Sequence, residues 1–394
     1  ALSLTWRVFP EDFIVEASRK ASSFKSLWPE RAERYTHCIM NPPYKKIASV
    51  SHHRTCLRAA GIETVNLYSA FVALSLVLLE KGGYLVAIIP RSFCNGPYYR
   101  PFRDFVLKNA AVRRIHLFRS RNKTFKEDNV LQENIVLALE KGGLQASVTV
   151  STSADDTLSD VSVVDYPFRE IVHEDDGEIF IHIPETPEAD FLNGVRAFSY
   201  SLSDIGVQVS TGPVVDFRRR EQLKAMPEPG TVPLLYPCHF RGRVVRWPIE
   251  GGKKPNAILC NEDTQKWLYP NGFYAVVRRF SSKEERRRIV ASVVDPAVFG
   301  KAENLGLENH LNVFHGGKMP LSETLARGLA VFLNSTAVDD HFRRFSGHTQ
   351  VNATDLKIMK YPSRNVLMEL GKWAMRQEDL TQNMIDEELE RISK

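Results

Sequence analysis

The sequence predicts an α/β fold joined to a mixed α+β second half. Three observations carry this. Near-continuous apolar runs, such as 84–90 and 135–139, have the texture of strands buried inside a sheet. Stretches of helical periodicity alternate with them, the pattern of βαβ units and a doubly wound sheet. After residue 145 the chain changes to short strands broken by Gly and Pro, interleaved with basic clusters.

Taken in order, Leu2 to Ile14 reads as a strand or its tail running into the acidic turn Glu11-Asp12, and 16–35 is polar and basic. His37 to Met40 reads as a short buried strand ending in Asn41-Pro42-Pro43-Tyr44. Neither proline has an N–H to extend a ladder, and the residue before a proline is pushed into extended conformation. Asn41 is therefore expected to stand out at a rigid strand tip. His52-His53 is expected on a solvated loop. Leu67, Phe71, Leu74 and Leu78 recur at helical spacing, with Lys81-Gly82-Gly83 as the expected glycine cap. A helix over 101–109 and strands over 112–118 and 135–139 follow, with Phe125 in the charged loop between these strands. Residues 148–164 read as β structure or a connector. Beyond 202, helices are expected near 282–292, 321–334 and 363–392. These readings give two domains, 1–197 and 198–394.

A chain of 394 residues has room for large cores. Its five cysteines are scattered with no CxxC pair, so no metal site or disulfide framework is expected, and a reducing cytoplasm fits. No apolar run reaches membrane-spanning length and the first residues carry no signal-peptide pattern, so no membrane partner is expected. The chain opens on Ala1 rather than Met, which leaves room for upstream residues.

The strand-tip turn points to chemistry on a planar amine. The lone pair of such an amine is delocalised into its ring. The Asn41 side-chain oxygen and the Pro42 carbonyl can each accept one N–H, which draws the nitrogen towards tetrahedral geometry for attack on a sulfonium methyl. Acceptors placed where positive charge develops make a strong base unnecessary. Tyr44 is placed to stack on the ring.

Asn41-Pro42-Pro43-Tyr44 after an apolar strand resembles the catalytic motif of TaqI-like (gamma-class) adenine-specific DNA amino-methyltransferases of restriction–modification systems. Glu11-Asp12-Phe13-Ile14, Asn66 to Phe71, Lys81-Gly82-Gly83 to Pro90, and Thr124-Phe125 resemble further motifs of that family. Leu333-Asn334-Ser335 and the segment 338–362 resemble the end of its target-recognition region, and the likeness is thin beyond 200.

The resemblance implies a Rossmann-like methyltransferase sheet with S-adenosyl-L-methionine as cofactor and double-stranded DNA as partner. A cognate restriction endonuclease and a prokaryotic cytoplasm come with it. It implies that Asp12, Phe13, Asn41 and Phe71 meet the cofactor, and that Tyr44 and Phe125 sandwich a flipped-out adenine. The basic clusters, interleaved with aromatic residues, are expected to meet phosphates. They comprise Arg218-Arg219-Arg220, Arg241 and Arg243 with Arg246, Lys253-Lys254, Arg278-Arg279, and 283–288.

In one respect the chain departs from the family. The family's first strand and glycine-rich loop precede its acidic motif, and the 10 residues before Glu11 contain no glycine. These residues alone are expected to bind cofactor poorly, in a sheet lacking its first strand. Methylation of RNA adenine or protein glutamine, and a non-catalytic DNA-binding specificity subunit, remain as alternative readings.

Overall fold

A six-stranded mixed sheet organises the first part of the computed structural model, which describes residues 5–24, 34–118, 133–174, 176–184, 198–241, 243–281 and 285–393. The chain divides into two units, Ala1–Pro187 and Glu188–Lys394. The boundary expected at 197 falls in a segment outside the described residues.

In the first unit the strands are β1 (Tyr35–Met40), β2 (Leu79–Pro90), β3 (Ala110–Phe118), β4 (Asn134–Lys141), β5 (Val148–Ser153) and β6 (Ser162–Tyr166). Their order is β1-β2-β4-β3-β5-β6. β1 and β2 run parallel, with Met40 opposite Ala87, while β4 runs antiparallel to both β2 and β3. The sheet is thus mixed: the βαβ expectation describes β1, β2 and β3, which run parallel to one another, with β4 inserted antiparallel between β2 and β3. Helices α1 (Phe13–Ser23), α2 (His52–Ala59), α3 (Leu67–Leu78) and α4 (Arg100–Asn109) belong to this unit. Val72, Ala73, Leu74, Leu76 and Leu78 of α3 are buried with Leu85, Ala87 and Ile89 of β2 in one core.

Three local expectations are corrected. Residues 5–12 form no strand. The Asp12 carboxylate instead caps α1, accepting the Ile14 and Val15 N–H groups at 2.9 and 3.2 Å, which draws Phe13 and Ile14 into the helix. β1 is not buried. It is the edge strand, and Ile39 is 87% exposed. Lys81-Gly82-Gly83 caps nothing, because α3 ends at Leu78 and the glycines lie within β2. There the pairing skips from Tyr35–Leu79 to His37–Tyr84. Gly82 has a φ of +83°, and a Cβ on Gly83 would sit 2.9 Å from the Thr36 carbonyl oxygen. Only glycine allows so close an approach.

The second unit contains two larger sheets. One runs in the order Leu268–Pro270, Asn304–Leu307, Thr231–Leu235, Ala257–Leu259, Leu223–Lys224. The other runs Ala291–Val294, Tyr274–Arg278, Leu311–His315, Gln208–Thr211. Helices Glu323–Leu333 and Arg364–Ala374 cross at Gly328 and Gly371, where any Cβ would strike the facing backbone.

Two helix expectations fail here. Residues 285–290 are not helical and Ala291–Val294 is a strand. The Asp339 carboxylate takes the N–H groups of both Arg288 and Ile289 at 2.8 Å, so a tertiary partner overrides local propensity. The expected helix over 363–392 is two helices, Arg364–Ala374 and Gln382–Ser393. In the break between them the Leu380 carbonyl accepts from Arg243.

Candidate active site

The carboxyl end of β1 delivers Asn41 to solvent, with Pro42 buried beneath it and Tyr44 half-buried. The Tyr44 hydroxyl lies between two acceptors, 3.0 Å from Asn41 Oδ1 and 3.1 Å from the Ile88 carbonyl of β2. The turn is thereby tied to the neighbouring strand, and the Asn41 amide oxygen has a defined position with a lone pair to spare. Behind the turn, the Tyr44 ring meets Tyr68 edge-on at 6.2 Å. Tyr68 packs in turn on Tyr99 and Phe102. Burial first, then the neighbouring Tyr99, holds the Tyr68 hydroxyl well above the usual range, so it stays neutral. Asn66 Nδ2 donates to Tyr99 Oη at 2.6 Å and locks this aromatic platform to the start of α3.

Asp12 is exposed at the head of α1. Besides the two backbone N–H groups, its second carboxylate oxygen lies 2.8 Å from His53 Nε2. Burial pushes the Asp12 pKa up, but the hydrogen bonds from His53 and from the Val15 and Ile14 amides outweigh it. The net shift is downward and the group is ionised at neutral pH. His53 therefore belongs to α2 and to Asp12, not to a free loop. Phe13 and Phe71 face each other with centroids 4.6 Å apart. The structure thus brings together two of the residues expected at the cofactor as an aromatic pair, with the ionised acceptor Asp12 adjacent to Phe13 in the chain. Phe125 lies outside the described residues.

Sequence reasoning missed the platform of Tyr68, Tyr99 and Asn66, and also the Arg91–Glu133 pair. That ion pair, 3.0 Å and fully buried, fixes the residue following β2 to the residue preceding β4. The only local signal was a charge closing an apolar run.

In the second unit the basic residues divide. Arg218, Arg219, Arg220, Arg241, Lys253 and Lys254 are exposed. The Arg219 guanidinium lies over Trp267 at 4.0 Å, and Lys254 pairs with Asp216 at 2.7 Å. Arg278 pairs with Glu285. Arg243 donates to the Leu380 carbonyl at 2.7 Å, and burial pulls its pKa down. Arg279 donates to the Asn309 carbonyl and Gln350 Oε1. The 283–288 cluster is corrected in part, because Arg287 and Arg288 turn inward. Arg288 is buried, donating to Ser281, Ser346 and the His348 carbonyl, and Arg287 donates to the Ser335 carbonyl.

Comparison with known proteins bears on this geometry. Residues 5–125 match the model of the Eco57I restriction-modification methylase family. The chain is 52% identical to the type II methyltransferase M.BsuBI of Bacillus subtilis over 392 residues, which span 99% of this chain and 78% of that protein. The chain belongs to the type II restriction–modification methyltransferases. The relation extends to M.PstI of Providencia stuartii, 45% identical over 93% of this chain and 71% of that protein. The fold resembles that of the type IIL restriction-modification enzyme MmeI, solved in complex with DNA. Their TM-score is 0.50 at 9% identity, covering 91% of this methyltransferase and 52% of the MmeI chain. Among the described residues, no helix of the methyltransferase is long and apolar enough to cross a membrane.

Proposed function

We propose that the protein is a site-specific DNA adenine-N6 methyltransferase. It uses S-adenosyl-L-methionine on an adenine turned out of the duplex and protects host DNA in a restriction–modification system of the prokaryotic cytoplasm, alongside a cognate endonuclease. The observation that carries this is the exposed Asn41 amide, held from behind by Tyr44. Asn41 Oδ1 and the Pro42 carbonyl accept the two N–H groups of the adenine amine and localise its lone pair. Tyr44 braces the turn and presents its ring to the base, and Phe125 is the second residue assigned to stacking. Turning the base out costs a few kcal/mol of unstacking and unpairing.

The residues present fit the adenine end of the cofactor. Asp12 is an ionised acceptor suited to an amine, and Phe13 with Phe71 offers a flat aromatic wall. When bound, S-adenosyl-L-methionine supplies the electrophilic methyl group. The outer edge of β1 takes a further strand, since an edge with Ile39 almost wholly exposed is otherwise an aggregation hazard.

In this reading the unit Ala1–Pro187 is catalytic and Glu188–Lys394 recognises DNA. Arg218, Arg219, Arg220, Arg241 and Lys253 contact phosphates, while Lys254, paired with Asp216, meets the DNA beside them. Arg243, Arg278 and Arg279 contribute to the same field with fewer free donors. The test is methyl transfer by the full-length protein to duplex DNA, RNA and a protein mixture side by side. Transfer to DNA alone is expected, and transfer chiefly to RNA or protein overturns the reading.

A further inference from the structure

The second unit holds a hollow of about 400 Å³ whose lining includes Tyr236, Lys254, Arg278, Phe280 and His310. Hydrogen-bond donors and aromatic faces converge here. Tyr236 is 1% exposed and its hydroxyl has no hydrogen-bond partner. Lys254 Nζ lies over the Tyr236 ring, 4.9 Å from its centroid. Arg278 Nε is likewise buried without a partner. Phe280, 41% exposed, packs on His310 with centroids 4.9 Å apart. His310 is fixed by the buried Glu308, whose carboxylate accepts its backbone N–H at 2.9 Å and lies 2.5 Å from Nδ1.

We infer that this hollow reads the major-groove edge of a guanine in the DNA site, an inference that rests on the DNA-methyltransferase reading above. The guanine edge carries two acceptors, N7 and O6, and no donor. It therefore suits a site that offers the unpartnered Tyr236 hydroxyl and Arg278 Nε together with the remaining N–H groups of Lys254. Adenine and cytosine each present an amine there, which would face these donors. A phosphate suits the site less well, because both cations already have carboxylates beside them, Asp216 at 2.7 Å from Lys254 and Glu285 on Arg278. A neutral base edge meets no such repulsion, and the Phe280 ring offers it a contact face.

The test uses the full-length protein and a duplex carrying its own methylation site, mapped by sequencing methylated DNA from cells that express it. Each guanine of the site is replaced in turn by 7-deazaguanine, which lacks the N7 acceptor, or by inosine, which keeps N7 and O6. At one guanine, 7-deazaguanine is expected to weaken wild-type binding roughly tenfold or more, while inosine has no such effect. Arg278→Gln, checked for wild-type thermal stability, is expected to abolish that difference and to methylate duplexes with another base at that position. The inference is overturned if no guanine shows the 7-deazaguanine effect. It is also overturned if Arg278→Gln and Lys254→Gln weaken binding equally on all sequences and lower its salt dependence, the behaviour of phosphate contacts. Failure of the wild type to methylate any duplex sinks the underlying reading instead. Methylation without a guanine effect sinks only this one.

Discussion

The two units hold their polar groups in opposite ways. At the tip of β1 one amide is pushed into solvent, and everything behind it serves to hold it there: two prolines, the Tyr44 hydroxyl on Ile88, and Tyr68 beneath. In the second unit much of the basic charge is turned inward. Arg288 is buried among Ser281, Ser346 and His348, and Arg243 is spent on the Leu380 carbonyl. A run of arginines in a sequence therefore counts charge but not availability. A buried guanidinium with satisfied donors is structural, whereas an exposed one such as Arg218 is free to meet a phosphate.

Five substitutions sharpen this contrast. Asn41→Ala removes the acceptor, and the Tyr44 hydroxyl keeps the Ile88 carbonyl as its partner. Single-turnover methyl transfer should fall by roughly 10³-fold, about 4 kcal/mol, with duplex affinity by fluorescence anisotropy within about twofold. A matching loss of affinity would make Asn41 a binding residue. Arg288→Met should lower unfolding free energy in denaturant by about 3 kcal/mol, because it leaves the partner carbonyl and hydroxyls unpaired. Arg218→Met should change stability by under about 0.5 kcal/mol while reducing the salt dependence of DNA binding. Equal stability losses at both arginines would erase the division between inward and outward charge.

Tyr44→Phe keeps the ring but frees the Asn41 amide, so the transfer rate should fall about tenfold, roughly 1.4 kcal/mol, with duplex affinity unchanged. The smallest effect belongs to Asp12. Its folded pKa lies below the ordinary carboxylate value, so the stability it contributes is present above that value and is lost as pH falls through the lower, folded one. Asp12→Asn keeps a competent helix cap and should flatten the acid limb of the stability profile below about pH 4. An unchanged acid limb would mean that His53 and the α1 amides do not hold the carboxylate.

What the sequence revealed was what neighbouring residues determine. Asn41-Pro42-Pro43-Tyr44 dictates its own conformation through two prolines, and α3 follows from its periodicity almost to the residue. What it concealed depends on distant partners. The position of β1 at the sheet edge cannot be read from β1, whose residues match those of an interior strand. Lys81-Gly82-Gly83 looks like a helix cap until the Thr36 carbonyl is seen beside Gly83. Arg91 finds Glu133 forty-two residues away, and the segment after Arg288 is drawn out of helix by Asp339 fifty residues on.

The central claim is that the Asn41 turn grips the amine of adenine in duplex DNA. Nucleoside mass spectrometry of duplex DNA methylated by the full-length protein tests it most directly. The account predicts N6-methyladenine as the product, absent when Asn41→Ala replaces the wild type. N4-methylcytosine or C5-methylcytosine as the product, or undiminished N6-methyladenine from the variant, would contradict it.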